Sequence, residues 1–173
     1  MRLTILFIFL LFGISCSNNQ SNKHIAYNKL GLDTTADTYS VIAEDPSMNS
    51  AIGKAKSTIH EFDEALKSKN LRYTDFAVKK RYRTSDGGGE HMWIAGIVLK
   101  DGYYRGFVNN DAEKTTEVKY GDTVIVLKDE ITDWMYLDSN VLRGGYTIRA
   151  VRNQLSEDER IKMDKNLGFK IEE

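Results

Sequence analysis

Between residues 45 and 69, apolar side chains recur every three or four positions, which is the period of an amphipathic helix. Asp45 and Pro46 precede the repeat and are typical of a helix N-cap and first turn. The pattern predicts one long helix that packs against a sheet, which is a commoner arrangement than a helix on a membrane or in a partner's groove. The apolar stripe comprises Met48, Ile52, Ala55, Ile59, Phe62 and Leu66.

Beyond Leu71 the period changes to two, which is typical of strands separated by turns. Asp101-Gly102 predicts a tight hairpin, and Asp86–Gly89 reads as a turn because it does not open a helix, as a phosphate cradle would. Gly144-Gly145 favours a bulge over a binding loop. The predicted strands are 72–84, 91–99, 103–108, 123–127, 131–137 and 145–151.

Ser156 and Glu159 form a capping-box pattern that predicts a last helix ending near Gly168. The order of elements indicates an α+β fold, with an N-terminal amphipathic helix packed on a roughly six-stranded, mostly antiparallel sheet or partly open barrel, and a short C-terminal helix. Residues 39–43 also alternate and predict a short edge strand.

The first sixteen residues read as a targeting signal. Arg2 precedes an apolar stretch, residues 3–12, that is too short to span a bilayer. Gly13-Ile14-Ser15-Cys16 resembles the lipobox of bacterial lipoproteins, and the alternative is an ordinary cleaved signal with a leftover thiol. We expect a signal peptide over 1–15, a lipidated Cys16 and tether over 16–38, and a domain over 39–173.

Charge and cysteine content narrow the possible functions. Lys and Arg number 24 against 25 Asp and Glu, so there is no basic surplus for nucleic-acid binding. Cys16 is the only cysteine, and its lipidation would leave no thiolate nucleophile or cysteine ligand for a metal. No motif indicates a metal or another cofactor. We expect a lipid-anchored protein of the bacterial cell envelope that faces the periplasm, because no acidic run follows Cys16.

Several dense motifs occur in order between about Asp45 and Gln154, and together they resemble the DUF2314 family. That resemblance implies a domain but no settled activity. The motifs are Met48-x-x-Ala51-Ile52, Phe76-Ala77-Val78-Lys79, Glu90-His91-Met92-Trp93, Gly121-Asp122-Thr123-Val124, Ile131-x-Asp133-Trp134-Met135-Tyr136 and Gly144-Gly145-Tyr146-Thr147-Ile148-Arg149.

Two sets of residues are candidates for function. His91 and Asp133 could serve a small hydrolase or metal-dependent enzyme, although Glu90 and His91 should face opposite sides of their strand. The strand region is also rich in aromatic residues, which favours a non-enzymatic module that binds a protein or an envelope ligand. The candidate binding residues are Trp134, Tyr136, Tyr146 and Arg149.

An immunity-type inhibitor is a third possibility. Clustering of His91, Asp133 and Arg149 in one pocket would favour an enzyme, whereas an exposed face bearing Trp134 and Tyr136 would favour binding. Trp134 could instead be a core residue.

Overall fold

The computed structural model describes residues 45–172, which form one helix, a six-stranded sheet and two further helices. Cys16, the tether and the strand predicted at 39–43 lie outside the described residues. The elements in chain order are α1 (Pro46–Ser68), β1 (Tyr73–Arg83), β2 (Gly89–Lys100), β3 (Tyr103–Val108), β4 (Thr123–Val126), β5 (Ile131–Asp138), β6 (Val141–Gly144), α2 (Tyr146–Gln154) and α3 (Glu157–Leu167).

The strands form one open, antiparallel sheet in the order β4-β3-β2-β1-β5-β6. The predicted α+β class and strand number are confirmed, and the sheet does not close into a barrel. The hairpin at Asp101-Gly102 joins β2 to β3 as predicted. Within residues 45–172, no helix is both long and apolar enough to cross a membrane.

Helix α1 begins where the sequence predicts, because the Asp45 carboxylate accepts hydrogen bonds from the Ser47 and Met48 amides. Its buried face is rotated slightly from the predicted stripe. Ala51, Ala55 and Ala65 are buried on that face, since their small side chains let the helix approach the sheet closely.

The main core lies between α1 and the inner face of the sheet. Phe62 is fully buried at its centre, with ring centroids 5.9 Å from Trp134 and 6.2 Å from Tyr104. These aromatic contacts add to the free energy gained by burying apolar area. Large side chains that are also fully buried in this core are Val78, Met92, Ile94, Val108 and Ile131.

One predicted strand is wrong. Residues 145–151 belong to helix α2, and the sixth strand is Val141–Gly144, which pairs with β5. Gly144 and Gly145 both have positive φ, and a Cβ on Gly144 would lie 2.3 Å from the Trp134 carbonyl oxygen. The glycine pair therefore ends the strand and turns the chain into a helix, in place of the predicted bulge before a strand.

The outer face of the sheet is covered over β1, β5 and β6 by α2, α3 and the C-terminal segment. Helix α3 has the predicted capping box and ends at Gly168, which is left-handed. The second core beneath these helices contains Ala77, Trp93, Met135, Leu137, Leu142, Ile148, Leu155, Met163, Leu167 and Phe169.

Candidate functional site

Asp133 lies at the N-terminus of α2 and is fully buried. Its Oδ1 accepts hydrogen bonds from the amides of Trp134 (2.8 Å) and Tyr146 (3.1 Å). Its Oδ2 accepts from the Thr147 amide (2.8 Å) and hydroxyl (2.6 Å). A carboxylate from β5 thus satisfies the first free amides of a helix that begins thirteen residues later in the chain.

Lys79 is joined to this carboxylate through Thr147. The ammonium of Lys79 donates to Thr147 Oγ1 at 2.7 Å and lies 4.6 Å from the centroid of the Trp93 ring. Burial lowers the pKa of Lys79 to about 8, although the charge of Asp133 opposes that shift. Burial likewise raises the pKa of Asp133, against Lys79 and the hydrogen bonds to the carboxylate. The arrangement holds α2 on the sheet and leaves Asp133 shielded from solvent.

His91 is partly buried and its Nδ1 lies 3.0 Å from Thr132 Oγ1. Burial, together with the charges of Lys79 and Arg81, lowers the pKa of His91 to about 4. Because the Thr132 hydroxyl donates to the Lys79 carbonyl, we assign the proton of the His91–Thr132 bond to the imidazole. His91 therefore has a local partner of its own on β5.

Glu90 faces away from His91, as the alternation of the strand predicts. Its carboxylate accepts hydrogen bonds from the Glu113, Lys114 and Thr115 amides and so orders the connection between β3 and β4. The two neighbouring residues do not act on a common point.

Arg149 was expected on a strand beside the candidate anchors, and it lies in α2 instead. Its guanidinium donates to the carbonyl oxygens of Leu142 (3.0 Å), Gly144 (3.0 Å) and Glu172 (2.6 Å). Arg149 thereby ties the C-terminal segment to β6. Within residues 45–172 no hydrogen bond joins His91, Asp133 and Arg149 to one another, and each is bonded to a different part of the fold.

Trp134 is only 1% exposed, so of the two alternatives for this residue the structure supports the core position and contradicts the exposed binding face. It points to the inner face, where its Nε1 donates to the Ala55 carbonyl of α1 at 3.0 Å. Tyr136 shares that face, as alternation predicts, and is half-buried with its ring stacked on Trp134. Tyr146 is also half-buried, and its Oη lies 3.1 Å from Thr58 Oγ1. These three aromatic residues secure α1 and α2 to the sheet.

Four of the exposed large apolar residues lie together on the outer face of β2, β3 and β4, whereas the others, Leu71, Tyr120, Leu127 and Ile161, lie outside these strands. We define the open patch as Val98, Tyr103, Arg105, Phe107 and Ile125. Its apolar members are 59%, 48%, 41% and 60% exposed in the order Val98, Tyr103, Phe107 and Ile125.

The strand register makes this patch continuous. Arg105 on β3 pairs with Val98 on one side and with Ile125 on the other, so a cation sits between two apolar side chains. Gly96 forms a bulge with positive φ, and a Cβ there would lie 2.5 Å from the Phe107 ring. The glycine therefore lets Phe107 lie against the sheet.

The patch is basic. Lys100 pairs with Tyr103 on the same outer face, and neither Lys100 nor Arg105 forms a salt bridge to another residue of the described chain. A groove of about 700 Å³ adjoins the patch at Val98, and its charged lining is mixed, with Lys67, Lys69 and Lys128 beside Asp63 and Asp101. No acidic residue lies on the outer face of the paired positions of β3 and β4.

Sequence reasoning missed most of the open patch. Strand alternation puts only one of Tyr103 and Tyr104 on the outer face, and the structure leaves Tyr103 48% exposed and Tyr104 1% exposed. The same alternation places Arg105 and Phe107 beside Tyr103. Among residues 45–172, no group of three or more His, Cys, Asp or Glu side chains could hold a metal ion.

Comparisons with known proteins identify the domain. The profile of the DUF2314 family, described as uncharacterized protein conserved in bacteria, matches residues 45–171. The chain is 34% identical over 138 residues to the "Putative ankyrin repeat protein NMB1133/NMB1171" of Neisseria meningitidis serogroup B, covering 76% of this chain and 54% of that protein. It is 34% identical over 102 residues to "Uncharacterized protein YegJ" of Escherichia coli K12, covering 59% of this chain and 65% of that protein. This chain thus spans between about half and two thirds of the length of these relatives. No solved structure matches.

Proposed function

This chain belongs to the DUF2314 family of bacterial proteins, and we propose that it is an envelope-anchored lipoprotein whose folded domain is a non-enzymatic binding module. The lipobox-like sequence at Gly13–Cys16 supports the anchor, since lipidation at Cys16 would attach the chain to the membrane. The binding surface is the open patch, not the face that bears Trp134.

The exposed fraction of the open patch is the observation that carries this proposal. Four large apolar side chains are each at least 41% exposed on adjacent strands, although scattered exposed apolar residues are ordinary on a protein surface. Their adjacency in the register makes one surface of them. Contiguous apolar surface bordered by polar residues is typical of a binding site.

The two candidate catalytic residues, Asp133 and His91, are hydrogen-bonded within the fold, and this supports a binding role over a catalytic one. The Asp133 carboxylate receives four hydrogen bonds from β5 and α2, and the His91 imidazole bonds to Thr132. The hydrogen bonds from Tyr146 and Thr147 hold α2 to β5, and the His91–Thr132 bond joins β2 to β5. A general acid or base has to reach a substrate proton, and burial keeps Asp133 from solvent.

The side chains of the open patch indicate which chemical groups the proposed partner should present. Val98, Phe107 and Ile125 favour an apolar surface, whereas Arg105 and Lys100 favour negative charge beside it. Tyr103 can contribute both an apolar ring and a polar hydroxyl.

Site-specific photocross-linking in intact cells tests the binding module. A photoreactive phenylalanine derivative in place of Tyr103 should form cross-links to a component of the envelope. The matched control is the same derivative in place of Ile161, which is 60% exposed on α3 and outside the patch. Equal cross-linking at the two positions, or none at position 103, contradicts the proposed surface.

Metabolic labelling with a radioactive fatty acid tests the anchor separately. The protein with native Cys16 should incorporate label, and Cys16→Ala should abolish incorporation and leave the precursor unprocessed. Label retained in Cys16→Ala would show that the anchor is not at this residue.

A further inference from the structure

We propose that the open patch docks on an anionic phospholipid bilayer, so that the domain lies against the membrane that its N-terminal segment reaches. This inference rests on the proposed function and names the partner of the same surface. The proposed binding partner of the open patch is the lipid surface itself, not a protein embedded in that membrane.

Charge complementarity supports a bilayer. The whole chain has a formal net charge of -1, yet the open patch and the paired Lys100 carry two positive charges and no negative one. Arg105 and Lys100 make no salt bridge within residues 45–172, so both can contact phosphate groups. Each Lys or Arg near an anionic membrane improves binding about five-fold.

The apolar side chains suit the boundary between headgroups and acyl chains. Tyr103 and Phe107 stand on the same face of β3, two positions either side of Arg105. Aromatic rings beside a cation are typical of membrane interfaces, because the rings enter the apolar layer while the cation stays among the headgroups. Ile125 and Val98 flank the cation across the sheet and widen the apolar contact.

A second copy of the chain fits this surface less well. In a two-fold symmetric dimer the same patch lies on both sides of the interface, so the two copies would bring Arg105 and Lys100 twice and place four positive charges at it. Like charges at an interface oppose association. A phospholipid surface supplies the opposite charge and has no such penalty.

The chain outside the described structure is long enough for docking. Lipidation at Cys16 leaves 28 residues between the lipid and Asp45. A chain of that length reaches at most about 100 Å when fully extended. An anchored domain can therefore turn its open patch to the bilayer, and even weak docking is favoured by the high local concentration of lipid.

Vesicle flotation with the unlipidated chain tests the inference. The protein is the full mature chain from residue 16 onward with Cys16→Ser, so that the acyl chains contribute nothing. It should float with vesicles of phosphatidylethanolamine and phosphatidylglycerol and stay behind with vesicles of phosphatidylcholine alone. High salt should reduce the binding, because screening weakens the attraction to the headgroups.

Matched variants assign any binding to the patch. Arg105→Gln and Ile125→Thr should each lower binding to the anionic vesicles about five-fold. Lys165→Gln and Ile161→Thr change an exposed cation and an equally exposed isoleucine on α3, and should leave binding unchanged. Lys100→Gln is a second charge variant at the end of β2, and thermal unfolding verifies that every variant is folded.

Absence of flotation with anionic vesicles overturns the inference, as does an equal loss in the α3 variants. Its failure can be separated from that of the proposed function by the cross-linking at position 103. Cross-links to a protein without flotation would retain the binding module and replace its partner. Cross-links to phospholipid together with patch-dependent flotation support both proposals.

Discussion

The two halves of the outer sheet face differ in what covers them. Over β1, β5 and β6, apolar side chains such as Met135 and Leu142 are 1% and 0% exposed beneath α2 and α3. Over β2, β3 and β4, no described element covers Val98 or Ile125, which are 59% and 60% exposed. Strand β3 alternates strictly between exposed and buried residues, whereas β5 is buried or half-buried on both faces because α2 and α3 pack on its outer side.

The two halves also differ in whether their charged side chains are paired within the described fold. Asp133 in the covered half receives four hydrogen bonds and is linked to Lys79 through Thr147. Arg105 in the open half has no salt bridge to a residue within 45–172. The charge in the covered half is hydrogen-bonded within the fold, whereas the charge in the open half is the one that we propose for a partner.

Replacing one charge in each half should give the largest contrast in stability. Asp133→Asn should lower the free energy of unfolding by about 3 kcal/mol or more, because an amide nitrogen would face donors of Thr147 and Lys79 would lose its countercharge. Arg105→Gln should change it by less than about 0.5 kcal/mol. Urea unfolding followed by circular dichroism measures both, and similar values would remove the distinction between the halves.

Truncating one apolar side chain in each half should show the next largest contrast. Leu167 lies in the last turn of α3 and is fully buried. Leu167→Ala should destabilise the domain by about 2–5 kcal/mol. Ile125→Ala removes a side chain that is already 60% exposed and should cost about 1 kcal/mol or less. A large loss from Ile125→Ala would indicate that the open patch is covered in the native protein.

His91 provides a smaller, pH-dependent test near the boundary between the halves. Its folded pKa of about 4 lies below the ordinary value of 6.5, so the unfolded chain binds a proton first as the pH falls. The stability that neutral His91 provides should be complete above pH 6.5 and decline by about 1–2 kcal/mol toward pH 4. His91→Gln should flatten this part of the curve of unfolding free energy against pH. An unchanged curve in His91→Gln would assign the effect to other groups.

Local sequence pattern could predict an element where the residues that specify it lie within that element or next to it. The apolar repeat and Asp45-Pro46 specify α1, and Ser156 with Glu159 specifies α3. Helix α2 was missed because its first amides are satisfied by Asp133, which lies on a strand thirteen positions before Tyr146. Residues 145–151 taken alone do not include the capping residue.

The candidate site shows the same division. Strand alternation puts Trp134 and Asp133 on opposite faces of the sheet, and likewise Tyr103 and Tyr104. Alternation does not say which face is covered, so it left both a core and a surface position open for Trp134, which lies beneath α1. Local sequence pattern does not predict the open patch, because Val98, Arg105 and Ile125 lie on three different strands. They become neighbours only through the register of β2, β3 and β4.

By itself, the sequence determined the family, the α+β class, the start of α1, the hairpin at Asp101-Gly102 and the capping box of α3. Each of these depends on residues close together in the chain, where helix period, turn chemistry and capping act directly. Only the tertiary structure decided that Asp133 caps α2, that Trp134 is buried and that no element within residues 45–172 covers Val98 and Ile125. The physical reason is that burial and hydrogen-bond partnership depend on which elements pack together, and residues distant in sequence determine that packing.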